Sequence, residues 1–389
     1  MKILEGKNRI DLQKSLHDYL PQLDFQGQVD TRKINIEALL DHTHGTFSTI
    51  MAWKTAYLGY SGDMGELIGD MNRDFLFDPS GKFMYSNLGP ILAAMAVENH
   101  TGIPWKEAME EYIFKPLDMG HSSTWVSDYG PGEIRPSLRV FSREGILQRG
   151  FPKKDVTMHA SGGIISTVDD LAKWLSANIR KDARLMDMEA WTALHTPHTV
   201  QDREYFTYQR NGYSLGWDMA SYQGEALLTR FGNLGGISFH ISFMPEKKIG
   251  IIAFSNDNRA YLLPHLMANY AYNLIADLPA DQIFDTERPL FEESFEGEDE
   301  IPRPWAAQIL ENTGANDQIL GLYHSRENWP DIGIVRENGQ YTMQWGVLRG
   351  PIYRGKQGYM ATLGAFDREF EIKGDSLLTG SLIYRRGPK

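Results

Sequence analysis

Two short stretches hold the residues best suited to chemistry. Tyr85 and Asn87 stand two positions apart in Phe83-Met84-Tyr85-Ser86-Asn87-Leu88-Gly89-Pro90, just ahead of Leu88, Ile91, Leu92 and Met95 at helical spacing. That spacing puts a phenol and an amide at the mouth of a buried helix, with Ser86 placed to cap it. A phenol titrates near ~10 unperturbed, so it moves protons near neutrality only beside a cation. A packing tyrosine with a satisfied hydroxyl is the simpler account of the same triplet. The second stretch, Asp41-His42-Thr43-His44, offers a carboxylate and two imidazoles, ligand types that suit zinc or manganese. No further ligand follows at a recognisable spacing, so the expectation is a hydrogen-bonded surface corner and no metal.

The elements around these residues are a helix-rich first part and a strand-rich remainder. Ile34 to Gly45 reads as a short helix ending in a glycine turn. Trp105, Ala108, Met109, Tyr112 and Ile113 form the apolar face of a helix opened by Pro104. Thr167 and Asp170 have capping-box spacing ahead of Leu171, Trp174 and Leu175. Ile237–Phe243 and Ile249–Phe254, joined by Met244-Pro245-Glu246-Lys247-Lys248, predict a hairpin. A helix follows with Leu263, Leu266, Met267, Tyr270, Ala271 and Leu274 on its expected buried face. The passage 279–304 is acidic and proline-bearing, which predicts a solvated linker. Short strands between Gly- and Asn-containing turns then predict a small antiparallel sandwich or barrel over 305–389.

With 389 residues and 42% hydrophobic content, the chain can bury a large core and is best divided into domains. A net charge of -12 gives no general attraction for nucleic acid or anionic membrane, which leaves small molecules or peptides as partners. The chain has no cysteine, which excludes disulfides, thiolate metal sites and a cysteine nucleophile. No stretch reaches the length of a membrane-spanning helix, and the first residues carry no export signal. The sequence assigns no compartment.

The run from Tyr85 to Trp125, with Asn99-His100-Thr101-Gly102, Ile113-Phe114-Lys115-Pro116-Leu117-Asp118-Met119-Gly120 and Ser122-Ser123-Thr124-Trp125, resembles the second-motif region of penicillin-recognising serine hydrolases. That family includes class C β-lactamases, DD-peptidases and related esterases. Leu39-Leu40-Asp41-His42-Thr43-His44-Gly45, Gly162-Gly163 with Ser166-Thr167, and His240 to Asn256 resemble further segments of it. The resemblance implies an α+β fold, an antiparallel sheet with helices over 1–278, followed by the linker and the β domain. It implies acyl-serine hydrolysis of an amide or ester without metal or organic cofactor. The tyrosine role, proton transfer at the leaving group, carries over to Tyr85, and the substrate-orienting asparagine to Asn87. Matching Gly232, Gly236 and Pro245 places Arg230-Phe231-Gly232 at the third motif, where the family has Lys or His, one residue, then Gly. Arginine can clamp a carboxylate but cannot shuttle a proton. An ordinary strand-edge salt bridge is the plainer account of Arg230. In this register the backbone N–H of Asn233 would serve as an oxyanion donor. A second register, with Asn233-Leu234-Gly235 at the motif, removes the cation.

The family nucleophile is the serine of Ser-x-x-Lys, and no serine or threonine here is followed by lysine three positions on. The resemblance places that motif, with two strands of the sheet, ahead of Met1. The expectation is a hydrolase domain lacking its nucleophile segment, with a complementing N-terminal fragment as a partner; localisation stays unassigned, the resemblance alone pointing to a periplasmic or extracellular parent. A non-catalytic relative that binds peptides or cell-wall fragments is the rival from another class, and metal-dependent hydrolysis through His42 and His44 a third.

Overall fold

A computed structural model describes residues 1–134, 138–140, 147–149, 153–234, 237–257, 260–296, 310, 314, 316–355, 358–364 and 366–387. The first part is helical: α1 (Lys2–Gly6), α2 (Leu16–Tyr19), α3 (Ile36–Leu40), α4 (Thr49–Trp53), α5 (Met64–Met71), α6 (Leu88–Thr101) and α7 (Trp105–Met109). Between them the short strands β1 (Thr46–Phe47) and β2 (Leu76–Phe77) pair antiparallel. The central helix is α6. It is apolar nearly all round, and every residue from Ile91 to Val97 is buried. Such a helix has to sit inside a core, and Leu12, Leu16, Leu20, Phe25, Leu39 and Met71 surround it. Close approach to α3 depends on Gly89, where a Cβ would lie 2.1 Å from the Leu39 carbonyl oxygen.

A small hairpin, β3 (Leu138–Val140) with β4 (Leu147–Arg149), precedes α8 (Val168–Arg180) and α9 (Met188–Leu194). Six strands then form one antiparallel sheet in sequence order: β5 (Thr199–Tyr205), β6 (Tyr208–Tyr213), β7 (Asp218–Tyr222), β8 (Glu225–Leu234), β9 (Ile237–Met244) and β10 (Ile249–Ser255). The expected hairpin is β9–β10, in register from Ile249↔Met244 to Ser255↔Ser238. Gly236, one of the markers of the preferred motif register, and Gly235, the glycine of the second register, lie outside the described residues.

Three expectations about helices are corrected. Thr167 accepts the Asp170 N–H at the start of α8, but the Asp170 carboxylate does not return to complete a box. It is taken by the His121 N–H, the Ser122 hydroxyl and Lys173. The helix after the hairpin, α10 (Leu263–Ile275), turns a different face inward from the one its apolar residues suggest. Leu266 is buried as expected, but the rest of the inward face is His265, Ala268, Asn269, Tyr272 and Asn273, while Met267 and Leu274 are exposed. The buried amides are hydrogen-bonded: Tyr208 Oη donates to Asn269 at 2.7 Å, and Asn273 donates to Tyr222 Oη at 2.9 Å. Once satisfied by partners, polar groups no longer exclude a face from the core. Finally, most of the passage read as a linker is helix, α11 (Ala280–Glu296). Glu287 anchors it, accepting from Asn269 and Tyr222. Residues 297–304 lie outside the described residues.

The C-terminal β domain is a closed barrel of β11 (Gly321–Ser325), β12 (Ile332–Glu337), β13 (Gln340–Trp345), β14 (Leu348–Gly355), β15 (Gly358–Leu363), β16 (Phe366–Lys373), β17 (Ser376–Thr379) and β18 (Leu382–Arg386). Tyr323, Ile334, Tyr341, Trp345, Ile352 and Tyr384 are among the side chains buried in its core. Among the described residues, no helix is long and apolar enough to cross a membrane.

Candidate active site

Tyr85 and Asn87 stand at the N-terminal end of α6, where the chain leaves an extended segment. Asn87 is the N-cap residue but makes no side-chain cap bond. Ser86 takes that role, its Oγ accepting the Leu88 N–H at 3.2 Å and donating to the Thr46 carbonyl at 3.2 Å. Ser86 is buried and both neighbours are exposed, so the capping serine fixes the backbone while the phenol and amide project outward together. Tyr85 Oη donates to Asn87 Oδ1 at 3.1 Å.

The sheet brings Arg230 to this pair across 145 positions of sequence, its Nη2 lying 3.5 Å from Tyr85 Oη and its guanidinium carbon 5.4 Å from the ring centroid. Arg230 Nη1 is held by Asp218 at 3.1 Å, a carboxylate only 1% exposed. Antiparallel pairing of β7 and β8 sets Asp218 opposite Thr229 and so beside Arg230. Burial opposes the charge on Arg230, but Tyr213, Asp218 and Tyr85 outweigh it and hold the guanidinium above its ordinary value. Asp218 also faces Arg210, whose Nε is 3.6 Å away. The Nε and Nη2 atoms of Arg210 are buried without a hydrogen-bond partner.

His42 completes the wall. Its ring packs 4.6 Å from that of Tyr85, its Nε2 is 3.2 Å from Tyr213 Oη, and its Nδ1 takes the Ser86 N–H at 3.4 Å. Burial, with Arg230 and His44 nearby, lowers its pKa to about 3, so the imidazole is neutral near pH 7. His44 is lowered to about 4 by burial.

Of the residues expected from the sequence, Tyr85, Asn87 and Arg230 are brought together. Gly232 and Asn233 lie further along β8. Among the described residues, no hydrogen bond links either to Tyr85. Gly232 has a packing reason of its own, since a Cβ there would sit 2.3 Å from the Phe239 ring. Asn233 donates to Ser238 Oγ at 3.0 Å. The Asp41–His44 turn is no surface corner: His42 and His44 are 1% and 3% exposed. Their nitrogens face different partners, Tyr213 for His42 and Thr46 Oγ1 at 2.7 Å for His44. Among the described residues, no group of three or more His, Cys, Asp or Glu is arranged to hold a metal. Asp218, Tyr213 and the wall role of His42 were not foreseen. Only strand register places Asp218 beside Arg230, and no local motif marks it.

In chemical terms this is a proton-bearing phenol between an amide and a guanidinium. The guanidinium cannot give up its proton at ordinary pH, so it can only hold charge or orient a partner. Tyr85 is the group here able to pass a proton to a bound molecule, and Asn87 can both donate and accept.

A family model described as Beta-lactamase matches residues 1–268. Among curated relatives, the unguisins hydrolase ungD′ of Aspergillus campestris is 24% identical over 269 residues, covering 66% of this chain and 49% of the relative. The chain thus spans about half the length of that relative. Among solved structures, the octameric penicillin-binding protein homologue from Pyrococcus abyssi superposes with a TM-score of 0.60 at 19% identity, over 98% of this chain and 84% of that one. The D-amino acid amidase of Ochrobactrum anthropi, solved with L-phenylalanine amide, gives a TM-score of 0.52 at 18% identity, over 66% of this chain and 72% of that one.

Proposed function

We propose that this chain, which belongs to the beta-lactamase family, carries the proton-transfer and substrate-orienting half of a serine hydrolase site that acts on an amide or ester. The observation that supports this most directly is the meeting of Tyr85, Asn87 and Arg230 at the end of a buried helix. In this reading Tyr85 exchanges a proton with the leaving group, Asn87 orients the substrate amide, and Arg230 holds negative charge on the substrate beside the phenol. Gly232 and the Asn233 N–H are assigned to the oxyanion side of the same cleft. D-amino-acid amides and peptides head the candidate substrates, in keeping with the D-amino acid amidase among the structural neighbours. β-Lactams and small esters share the reacting carbonyl.

These 389 residues contain no Ser-x-x-Lys or Thr-x-x-Lys. Serine without a neighbouring base is a weak nucleophile. We assign the acylated serine to a complementing segment and expect the chain by itself to bind substrate without turning it over. A fluorophosphonate probe followed by peptide mapping tests this. The expected result is no specific label on the chain alone. Stoichiometric labelling at one of its own serines would overturn the assignment and make that serine the nucleophile.

A further inference from the structure

The barrel does not hang from the helical part by a tether alone, because one of its turns is built into the other domain. The turn joining β13 and β14 puts the Val347 N–H on the Leu58 carbonyl at 2.9 Å. Gly346 beside it has φ +57°, and a Cβ there would lie 2.1 Å from the same carbonyl oxygen. Leu58 is 1% exposed and belongs to the hydrophobic core of the barrel. Trp53, at the end of α4, packs with its ring centroid 5.7 Å from that of Trp345, the two planes tilted by 31°.

A second contact lies outside the turn. Asn328, in the β11–β12 loop, donates to Asp70. Asp70 is fully buried and pairs with Lys54 at 2.6 Å, and Lys54 also reaches Glu66 at 2.8 Å. From the other side Lys153 donates to the Ala56 carbonyl at 2.9 Å. Residues 54–58 are therefore gripped from three directions, and they form a single π-helical turn, a geometry that marks local constraint. The grip continues toward the site. α4 leads back to Ser48 and β1, and the Thr46 carbonyl accepts the hydroxyl of Ser86, the residue between Tyr85 and Asn87.

We propose that the barrel is a positioning element of the cleft: its Trp345–Leu348 turn and Asn328 hold residues 54–58 and, through α4 and β1, set the seat of Ser86 and hence the direction of Tyr85 and Asn87. A barrel that was only an appended module would have no reason to bury Leu58 in its own core or to supply a hydrogen bond to the buried Asp70. That Tyr85 faces a substrate rests on the proposed function; the mechanical link does not, and it can be measured without any substrate.

Two variants of the full chain test it. Gly346→Ala forces a methyl group against the Leu58 carbonyl. Asn328→Gly removes the side chain that reaches Asp70 while suiting the φ of +62° at that position. Amide exchange is followed by mass spectrometry, and the Tyr85 ring by carbon-13 tyrosine NMR with Tyr85→Phe as the assignment control. The expected result is exchange about tenfold faster across 54–58 in Gly346→Ala and several-fold faster in Asn328→Gly. The Tyr85 resonance moves in both, and protection in β15 and β16 is retained. If Gly346→Ala also unfolds the barrel, Asn328→Gly decides alone. Unchanged exchange at 54–58 in that variant overturns the proposal. So does a loosened 54–58 segment with the Tyr85 resonance unmoved, because the link to the cleft would then be absent.

Discussion

Replacing Asp218 with asparagine should damage the site more than its single position suggests. The carboxylate is 1% exposed and faces two guanidinium groups, Arg230 at 3.1 Å and Arg210 at 3.6 Å. Gln201 also reaches it, at 3.5 Å. Asparagine keeps the shape and removes the charge, leaving one guanidinium 2% exposed and the other 22% exposed with no carboxylate partner among the described residues. Breaking a buried pair from one side costs about 3–5 kcal/mol. Partial access of Arg230 to water places the expected loss at the lower end, about 3 kcal/mol, or a fall in Tm of roughly 6–12 °C for a domain of this size. Arg210→Met should cost less, because the Nε and Nη2 atoms of Arg210 make no hydrogen bond and a thioether can take the place of its guanidinium over the Tyr205 and Phe231 rings. The double variant Asp218→Asn/Arg210→Met should recover about 1 kcal/mol or more relative to the sum of the two. Urea denaturation of the four proteins provides the comparison. A loss below about 1 kcal/mol for Asp218→Asn, or strict additivity in the double variant, would refute the view that this carboxylate neutralises the floor of the site.

Stability should fall on mild acidification. His42, His240 and His265 are lowered to about 3 by burial, and His44 to about 4. Each binds a proton in the unfolded chain below pH ~6.5 but not in the folded one, so stability rises with pH through this window and levels off above it, at about 1.4 kcal/mol per histidine per pH unit; a flat unfolding free energy between pH 6.5 and 5 would contradict this. Asn269→Ala strips partners from Tyr208, Thr207 and Glu287 at once and should cost about 1–3 kcal/mol, with faster amide exchange in α11; unchanged α11 protection would show that the Asn269–Glu287 bond does not hold that helix. Gly89→Ala drives a methyl group into the Leu39 carbonyl and should lower stability by about 1–3 kcal/mol in a thermal scan, against near neutrality if α3 can shift freely.

How much of this could be read in advance differs from element to element. The β9–β10 hairpin and the buried α6 follow from period and turn chemistry, because their apolar residues share one environment along the segment. The inward face of α10 did not, since its apolar residues ring the helix and the choice was made by hydrogen bonds to Tyr208, Tyr222 and Glu287, which are remote in sequence. The α11 helix hid behind acidic composition and Pro289, although Glu287, Asp281, Phe284 and the buried Ala280 dock it against its neighbours. At the site, Tyr85 and Asn87 were legible as a local pair and Arg230 as a candidate cation. Asp218 and the burial of His42 depend on tertiary contacts that no local pattern encodes.

The most direct test of the central claim is an NMR titration of the chain with D-alanyl-D-alanine, whose terminal carboxylate supplies the negative charge assigned to Arg230, using labelled tyrosine and arginine side chains. The account predicts saturable shifts at Tyr85 and Arg230 that weaken sharply in Arg230→Ala, with no product formed. Shifts confined to other tyrosines, or binding that is indifferent to Arg230→Ala, would show that the cleft at the head of α6 is not where the substrate sits.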